Sequence, residues 1–387
     1  MKKILITIPG MYFGGMERVA FIARELLLQY GYDVCLVTLF KGDPDYVPDF
    51  EYTCLGCEVS PSKIGKIFTT FKRIGALKKY KKEAKPDYVI TFGKSPCFCN
   101  VWSKCGEKII VGIRSYDWLE KYYYGFYLEK LMYKMADKVV SVSKLIQIDA
   151  EKIFAISPDK SSYLYNPYDI DLINVKASET ITEVEIPSDK KVIVSAGRLE
   201  HQKGFYHLIK AISLMKSRQD IRIYILGHGK QKKELERMIK ELDLEDTVFL
   251  LGGQNNPYKF MKRADLYVMS SISEGFPNAL VEAMAVGTPV LSSDCKSGPR
   301  EILTEADLYK CTETIEYGEY GVLVTAMTDS KNYDISSIEK CDMVLAEAMD
   351  VIINDTVSLI EYGNKAQERA KVFSYEVFGK KLLELLD

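Results

Sequence analysis

The sequence predicts an α/β protein with two doubly wound parallel-sheet domains. Two series of short strands rich in Val and Ile support this prediction, because they alternate with segments of helical spacing. The chain has 387 residues, of which 47% are hydrophobic, so each of two domains can bury a core. The predicted strands are Lys3–Ile8, Val34–Phe40, Tyr88–Phe92, Lys108–Ile113 and Lys138–Val142, then Lys191–Ala196, Ile221–Leu226, Thr247–Leu251, Leu266–Met269 and Pro289–Ser292.

A polar segment separates the two series. Asn166-Pro167-Tyr168 indicates a turn, and residues 174–190 lack an apolar period. We therefore place the domain boundary near residue 167. The last stretch has apolar residues at helical spacing and is expected to pack back on the first domain. The expected divisions are 1–167, 168–373 and a C-terminal helix over 374–387.

Composition and charge exclude several classes of protein. The formal net charge of −2 gives no general attraction to nucleic acid, and no nucleic-acid-reading motif is present. No apolar run approaches the roughly 20 residues that span a bilayer. The N-terminal apolar run ends at Pro9-Gly10, which favours a first strand over a signal peptide. Nine cysteines, an odd number without an export signal, favour a reducing compartment, so we expect a cytoplasmic protein.

No metal or cofactor is expected. The cysteines of residues 54–57 and 97–105 are irregularly spaced, and no histidine lies in this half, so they are interpreted as buried thiols. Asp169-Ile170-Asp171 has a D-x-D spacing, but it falls in the predicted linker. We interpret it as a turn.

Each series opens with a strand that leads into a glycine-containing loop. In the first, Gly14-Gly15 precedes a helix, whose N-terminus favours an anion. In the second, Gly197-Arg198 and Gln202-Lys203-Gly204 bring two cations to the carboxyl end of a strand, where open α/β sheets bind ligands. Each loop alone is equally an ordinary turn, but together they suggest two half-sites for one diphosphate. The pattern G-x-G-x-x-G is absent from both, which argues against a nicotinamide enzyme.

The segment Ser273–Gly287 predicts a buried helix that carries one carboxylate. Pro277 suits the first helical position, and Gly287 suits the terminator. The helix between them is apolar almost all round apart from Glu282, which therefore needs partners. Vicinal ribose hydroxyls would supply two donors to this carboxylate.

A second glutamate precedes this helix. Glu274 lies beside Gly275 and Phe276, whose backbone N–H groups are suited to hold sugar hydroxyls. The alternative interpretation is that Glu282 is half-exposed and Glu274 is a solvated loop residue.

Four motifs occur in an order that is similar to a known family. They are G-G-M-E-R at 14–18, G-R-L followed by Q-K-G at 197–204, E-G-F-P-N-x3-E at 274–282 and S-G-P-R-E-I at 297–302. In these motifs the chain resembles glycosyltransferase family 4, over about residues 4 to 305. The resemblance implies the GT-B fold, in which two Rossmann-like domains face a central cleft.

The resemblance also implies a retaining, metal-independent transferase that uses a nucleotide-diphosphate sugar. Arg198 and Lys203 would neutralise the donor diphosphate, Glu274 would hold the transferred sugar and Glu282 would hold the ribose. Arg198, Lys203 and Glu274 are the candidate catalytic residues. The candidate donor-binding residues are Gly14, Gly15, Gly197, Arg198, Lys203, Glu274, Gly275, Phe276, Pro277, Asn278 and Glu282.

Several activities remain open on this sequence. We expect a UDP-sugar as donor and a glycan acceptor, linked to polyprenyl diphosphate, for a capsule, O-antigen or related polymer. The loop Ser297–Arg300 resembles one found in enzymes that build bacterial surface glycans. Alternatives are a mannosyltransferase that uses GDP-mannose, a non-hydrolysing UDP-sugar epimerase and a non-catalytic nucleotide-sugar sensor. The epimerase needs a cleft histidine, and His201 alone lies in a candidate donor loop.

The acceptor side departs from the family pattern. Many relatives carry a histidine after the strand that matches Lys108–Ile113, whereas this chain has Arg114-Ser115-Tyr116. We expect Arg114 and Tyr116 to serve the acceptor. The aromatic residues from Trp118 to Tyr127, with Tyr133, are candidates to dock a lipid-linked acceptor, or else they form core and cleft wall.

The segment Lys63–Lys85 has nine basic residues against one glutamate. Helical spacing places five apolar residues on one face, and an anionic membrane surface would attract such a helix. Alternatively the apolar stripe packs on the sheet. The five residues are Ile64, Ile67, Phe68, Phe71 and Ile74.

Overall fold

The computed structural model describes residues 1–12, 14–43, 48–58, 60–122 and 124–386. The chain forms two compact units, one of residues 1–167 with 376–387 and one of residues 168–375. Each unit contains a largely parallel sheet covered by helices, which confirms the predicted α/β class.

The sheet of the first unit is parallel throughout, in the order β3-β2-β1-β4-β5-β6-β7. Its central strands are buried because helices cover both faces, which explains their continuous apolar sequences. The strands are β1 (Lys3–Ile8), β2 (Asp33–Thr38), β3 (Thr53–Cys54), β4 (Tyr88–Thr91), β5 (Lys108–Ile113), β6 (Lys138–Ser141) and β7 (Ser161–Tyr163).

The sheet of the second unit has the order β10-β9-β8-β11-β12-β14-β13, and its edge strand β13 is antiparallel to β14. Its strands are β8 (Lys191–Ala196), β9 (Ile221–Leu226), β10 (Val248–Gly252), β11 (Leu266–Met269), β12 (Val290–Ser293), β13 (Ile315–Tyr317) and β14 (Val322–Val324). The sequence analysis missed β3, β7, β13 and β14, since strands of two or three residues carry too little periodicity to be recognised.

The helices of the first unit alternate with its strands along the chain. They are α1 (Gly15–Gln29), α2 (Lys63–Ala84), α3 (Lys94–Trp102), α4 (Asp117–Glu120), α5 (Phe126–Met135) and α6 (Lys144–Phe154). The helices of the second unit are α7 (Ile170–Ala177), α8 (Phe205–Leu214), α9 (Lys232–Glu241), α10 (Tyr258–Arg263), α11 (Asn278–Ala285), α12 (Pro299–Leu303), α13 (Lys340–Asn354) and α14 (Thr356–Ala370).

The last helix, α15 (Tyr375–Glu384), leads the chain back to the first unit. Its residues Phe378 and Leu382 are buried. Just beyond it, the Tyr88 hydroxyl of β4 donates a hydrogen bond of 2.5 Å to the carbonyl of Leu386. The helix is thus fixed by an apolar face and by a polar contact at its end.

The D-x-D sequence at 169–171 begins a helix, so its interpretation as a turn was wrong. The Asp169 carboxylate accepts a 2.9 Å hydrogen bond from the Leu172 amide and caps α7. Aspartate is favoured at this position because it satisfies an amide that has no partner inside the helix. Both aspartates are therefore explained by helix initiation.

Within the described part of the chain, no helix combines the length and the apolar character needed to cross a bilayer.

Candidate functional site

The order of strands in the second unit brings two predicted loops together. The chain runs from β8 outward to β9 on one side and returns to β11 on the other, so the strand order reverses between β8 and β11. In open α/β sheets, ligands bind outside the carboxyl ends of strands at such a switch point. The loop after β8, residues 197–204, and the loop after β11, residues 270–277, meet there.

The two loops are hydrogen-bonded to each other. The Ile272 amide donates to the carbonyl of Gln202 at 2.8 Å, and the Ser270 hydroxyl donates to the carbonyl of Lys203 at 3.1 Å. Gly204 has φ of +61°, and a Cβ there would lie 2.0 Å from the carbonyl oxygen of Ser270. Only glycine permits this approach, so the motif glycine fixes the distance between the loops.

Lys203 and Glu274 form an ion pair at this junction. Lys203 Nζ lies 2.5 Å from Glu274 Oε1, and the Ser271 hydroxyl donates to the same oxygen at 2.7 Å. Glu274 is only 7% exposed, so the alternative of a solvated loop residue was wrong. Oε2 of this carboxylate has no hydrogen bond to the described residues, which leaves it available to a ligand hydroxyl.

Arg198 lies apart from this pair. Its side chain is exposed and pairs with Glu200 at 3.3 Å. Gly197 packs closely against the Lys203 side chain, because a Cβ at Gly197 would lie 3.3 Å from it. The structure therefore joins Lys203 to Glu274 but leaves the Arg198 guanidinium in solvent.

Glu282 lies on the buried helix α11, as the sequence predicts. It is 7% exposed, so the half-exposed alternative was wrong, and the Tyr258 hydroxyl lies 3.5 Å from its Oε1. Pro277 is the residue before the helix and has extended ψ of 101°, so its prediction as the first helical residue was wrong by one position. Gly287, with φ of +79°, follows the helix end as expected.

Two residues of the predicted donor set have structural contacts of their own. The Asn278 side chain accepts a 2.7 Å hydrogen bond from the Tyr168 hydroxyl. Phe276 is buried and packs edge-to-face on Phe373, with ring centres 5.4 Å apart. These contacts hold the segment that begins at Gly275, whose backbone the sequence analysis assigned to sugar hydroxyls.

The S-G-P-R motif contacts the segment that begins at Gly275. The Ser297 hydroxyl donates to the Gly275 carbonyl at 2.7 Å, and Gly298, with φ of +98°, lies against Pro277. Arg300 is buried and pairs with Asp294 and Glu316. The hydrogen bond from Arg300 lowers the pKa of Glu316 to about 2, so Glu316 stays charged at neutral pH. The motif is therefore a brace for the loop that holds Glu274.

Sequence reasoning missed Ser271 and Tyr258, whose hydroxyl groups contact Glu274 and Glu282 respectively. Neither lies in a motif. Ser271 is three residues before Glu274 and was within reach of a local argument. Tyr258 is 24 residues before Glu282, and only the packing of α10 beside α11 brings it there.

In the first unit, Gly14 precedes α1 and Gly15 is its first residue. The first turn already carries a buried carboxyl group, because Glu17 is 5% exposed and its Oε2 lies 2.6 Å from the position of a Cβ on Gly14. Burial raises the pKa of Glu17, against the opposing effect of a backbone hydrogen bond. The glycine at 14 is thus required by the packing of Glu17.

The two predicted acceptor residues follow β5. The Arg114 guanidinium hydrogen-bonds to the Asn166 side chain and lies 5.7 Å from the ring centre of Phe92. The Tyr116 side chain is buried, and its hydroxyl donates to Asp149 at 2.7 Å. Arg114 lies at the carboxyl end of the strand, whereas Tyr116 is engaged in packing.

One buried cluster in the described residues has the composition of a metal site, although no metal was expected. His207, Cys341 and Asp342 each offer a ligand atom, all within 4.8 Å of one another. The Asp342 carboxylate lies 2.6 Å from His207 Nδ1, and the Thr328 carbonyl lies 3.0 Å from Nε2. Both partners are acceptors, so both ring nitrogens carry protons and no lone pair is left for a metal.

Helix α2 turns its apolar stripe away from the sheet. Ile64, Ile67, Phe68 and Phe71 are 59–71% exposed, while Ile74 is half-buried, so packing of the whole stripe on the sheet was wrong. The buried face carries Leu77 and two of the nine basic residues, Arg73 and Lys81. Six lysines are exposed, and the side chain of Lys63 lies outside the described part. The exposed lysines are Lys66, Lys72, Lys78, Lys79, Lys82 and Lys85.

The aromatic segment near residue 120 is divided between core and surface. Tyr133 is buried at 1% exposure, so it is core and does not face an acceptor. Tyr122 and Tyr127 are exposed at 45% and 84%. Tyr123 lies outside the described residues.

Comparison with solved structures identifies the fold. The Anabaena protein HepE, solved in complex with UDP, matches with a TM-score of 0.78 over 100% of this chain and 99% of its own, at 18% sequence identity. WaaG, a glycosyltransferase involved in lipopolysaccharide biosynthesis, matches with a TM-score of 0.69 over 98% of each chain, at 16% identity. At these identities the likeness establishes the fold, which is that of the GT-B glycosyltransferases.

Sequence comparison gives the family. Residues 13–172 match the model for Glycosyltransferase Family 4, and residues 177–318 match the model for Glycosyl transferases group 1. An uncharacterized glycosyltransferase of Methanocaldococcus jannaschii is 31% identical over 80% of this chain and 81% of its own length. A Campylobacter jejuni protein is 30% identical over the full length of both chains; it is named N-acetylgalactosamine-N,N'-diacetylbacillosaminyl-diphospho-undecaprenol 4-alpha-N-acetylgalactosaminyltransferase. The chain belongs to glycosyltransferase family 4, and the resemblance found in its motifs is confirmed.

Proposed function

We propose that this glycosyltransferase moves a sugar from a UDP-sugar to a polyprenyl-diphosphate-linked glycan, with retention of configuration and without a metal ion. The observation that carries the proposal is the contact of the partly buried Lys203 with the buried Glu274 at the switch point of the second sheet. A cation and a hydrogen-bonding carboxylate side by side suit a ligand in which a diphosphate is joined to a sugar.

In the proposed reaction, Lys203 stabilises the negative charge that develops on the leaving phosphate. Fixed cations aimed at such a charge lower the barrier without reorganisation during the reaction. Arg198 is exposed and long enough to turn from Glu200 toward the same diphosphate. The acceptor hydroxyl attacks on the face of the leaving group, and the departing phosphate takes its proton, so no separate protein base is required.

The remaining donor contacts are proposed from burial and backbone geometry. Glu282 holds the ribose hydroxyls, while Glu274 and the backbone from Gly275 to Asn278 hold the transferred sugar. Gly14 and Gly15 stay candidate phosphate contacts, since the N-terminus of a helix such as α1 favours an anion.

The nucleotide and the acceptor are inferred from relatives. HepE was solved with UDP, which supports uracil over guanine as the base. The Campylobacter relative is named for a diphospho-undecaprenol acceptor, which supports a polyprenyl-linked substrate. Arg114 is the proposed acceptor contact in the first unit, because its guanidinium can pair with a phosphate or sugar hydroxyl.

Helix α2 is the proposed membrane contact. Its exposed Ile64, Ile67, Phe68 and Phe71 are flanked by exposed lysines. Apolar residues insert at the acyl boundary, while each lysine near an anionic surface contributes about 1 kcal/mol. This surface would place the enzyme on the inner face of the cell membrane, next to a lipid-linked acceptor.

A donor screen tests the proposed function. Release of UDP or GDP is measured for a panel of nucleotide sugars, with and without a polyprenyl-diphosphate-linked acceptor, in the presence of EDTA. The expected result is acceptor-dependent release of UDP that EDTA leaves unchanged, with a product in the same anomeric configuration as the donor. Release of GDP alone would favour the mannosyltransferase, and UDP binding without release would favour a sensor. A requirement for magnesium or manganese would overturn the metal-independent mechanism.

A further inference from the structure

A chain of four polar side chains lies behind the loop that carries Lys203. The Gln231 amide donates to the Tyr333 hydroxyl, which lies 3.2 Å from His201 Nδ1, and His201 Nε2 contacts the Asp329 carboxylate. These residues come from three separate segments, namely the start of α9, the loop before α13 and the loop after β8.

The hydrogen bonds among these four side chains all run in one direction, from Gln231 to Asp329. The Asp329 carboxylate only accepts hydrogen bonds, so His201 Nε2 donates to it; in a neutral imidazole Nδ1 then accepts from the Tyr333 hydroxyl. The Tyr333 oxygen in turn accepts from Gln231. Each group from Gln231 to Asp329 therefore has a donor or acceptor that matches its neighbour.

Tyr333 is held in place by buried contacts. Lys210 is fully buried, and its Nζ donates to the carbonyls of Asn332 and Ser337 at 2.8 Å each, on either side of Tyr333. The Tyr333 ring packs against Tyr206, with centres 4.8 Å apart, and Tyr206 also stacks on His201 at 5.5 Å. The phenol is thus a rigid support and not a mobile surface group.

His201 is connected to Lys203 through the backbone. His201 and Lys203 lie in one turn of 3₁₀ helix, which is closed by a bond of 3.0 Å from the Gly204 amide to the His201 carbonyl. Gln231 also binds the same loop through its main chain, because its backbone N–H donates to the Leu199 carbonyl at 3.0 Å. A displacement of His201 would therefore move the backbone from which Lys203 reaches Glu274.

We propose that Tyr333 and His201 are positioning residues that fix Lys203 beside Glu274 for departure of the diphosphate. This inference rests on the proposed function, since it assigns the pair a part in that reaction. Neither side chain touches the donor in this scheme; both act through the placement of the Lys203 ammonium.

The test is a double-mutant cycle of Tyr333→Phe with Lys203→Ala, measured as kcat for UDP release and as Kd for UDP. Tyr333→Phe removes one hydroxyl and is expected to lower kcat about three- to tenfold, as for the loss of one hydrogen bond. The Kd for UDP should stay within about twofold of wild type. In the Lys203→Ala background, Tyr333→Phe should produce no further loss, because there is no ammonium left to position.

Tyr317→Phe is the matched control, because Tyr317 is an exposed tyrosine of the same unit and its loss of a hydroxyl should leave kcat unchanged. The unfolding midpoint of each variant shows whether a loss of kcat comes from a destabilised fold or from a displaced Lys203 side chain. Suppose that the wild-type enzyme is active and that Lys203→Ala lowers kcat. The positioning role alone is then overturned if Tyr333→Phe leaves kcat unchanged, or if it lowers kcat equally in the wild-type and Lys203→Ala backgrounds. A wild-type protein that releases no nucleotide from any sugar donor overturns the proposed function and this role with it.

Discussion

Lys203 Nζ and Glu274 Oε1 lie 2.5 Å apart, although 71 positions separate them in the sequence. The family resemblance assigns Lys203 to the diphosphate and Glu274 to the transferred sugar. In a nucleotide sugar these two groups are joined by the bond that breaks, so side chains that hold them must be neighbours. The contact therefore supports the proposal that these two residues bind the diphosphate and the sugar on either side of the bond that breaks.

Removal of the ammonium should slow turnover more than it weakens binding. Lys203→Ala is expected to lower kcat about a hundredfold or more, because a fixed charge that stabilises the leaving group acts mainly in the transition state. The Kd for UDP should change by less than about tenfold. Steady-state UDP release and calorimetric UDP binding check the two values. Lys365→Ala removes an exposed lysine of the same unit and should change neither; a wild-type kcat in Lys203→Ala would contradict the proposed site.

Replacement of the buried helix carboxylate should weaken nucleotide binding. Glu282→Ala is expected to raise the Kd for UDP about ten- to hundredfold, since a charged acceptor of two ribose hydroxyls is lost. Wild type should bind 2′-deoxy-UDP more weakly than UDP, whereas the variant should bind both alike. Calorimetry with the two nucleotides measures this discrimination, with Glu361→Ala as an exposed control. Unaltered preference for UDP in Glu282→Ala would remove Glu282 from the ribose.

The buried pair of His207 and Asp342 should make stability depend on pH. Burial alone lowers the pKa of His207, but the hydrogen bond to Asp342, with those to Cys341 and Thr328, raises it from 6.5 to about 10. A folded-state pKa above the unfolded value means that this stabilisation is complete below pH 6.5 and is lost as pH rises toward 10. Urea unfolding between pH 6 and pH 10 measures the decline in the free energy of unfolding.

The variant Asp342→Asn should lower the free energy of unfolding by about 3 kcal/mol near neutral pH, as for other broken buried ion pairs. It should also flatten the pH dependence that wild type shows. Asp246→Asn changes an exposed aspartate and is the control. Stabilisation of wild type by added Zn²⁺ would show that the cluster binds metal. It would contradict the assignment of a proton to both ring nitrogens of His207.

Helix α2 should bind vesicles that contain anionic lipid. Phe68→Ser with Phe71→Ser should abolish sedimentation with phosphatidylglycerol vesicles, because the apolar anchors are lost. Replacement of Lys78, Lys79 and Lys82 by Gln should weaken binding about fivefold for each lysine, and high salt should mimic this effect. Val357→Ser with Ile360→Ser removes exposed apolar groups from α14 and is the control. Equal binding of wild type to pure phosphatidylcholine vesicles would contradict the proposal.

Much of the fold was predictable because the central strands of parallel sheets are apolar on both faces. The β1, β5, β8, β9 and β11 ranges were predicted with the bounds that the structure shows. The short strands β3, β7, β13 and β14 were missed, since their two or three residues pair through backbone groups and leave no pattern in the side chains. The direction of the α2 stripe was also undetermined, because an amphipathic period does not tell which face meets the sheet.

The sequence by itself determined the glycine loops, the buried helix around Glu282 and the family, because each depends on residues close together in the chain. Only the tertiary structure decided that Lys203 meets Glu274, that His207 pairs with Asp342 and that Tyr333 supports His201. The physical reason is the order of strands. Local propensity fixes where β8 and β11 begin and end, but hydrogen bonding between these distant segments decides that they are neighbours and that their loops form one site.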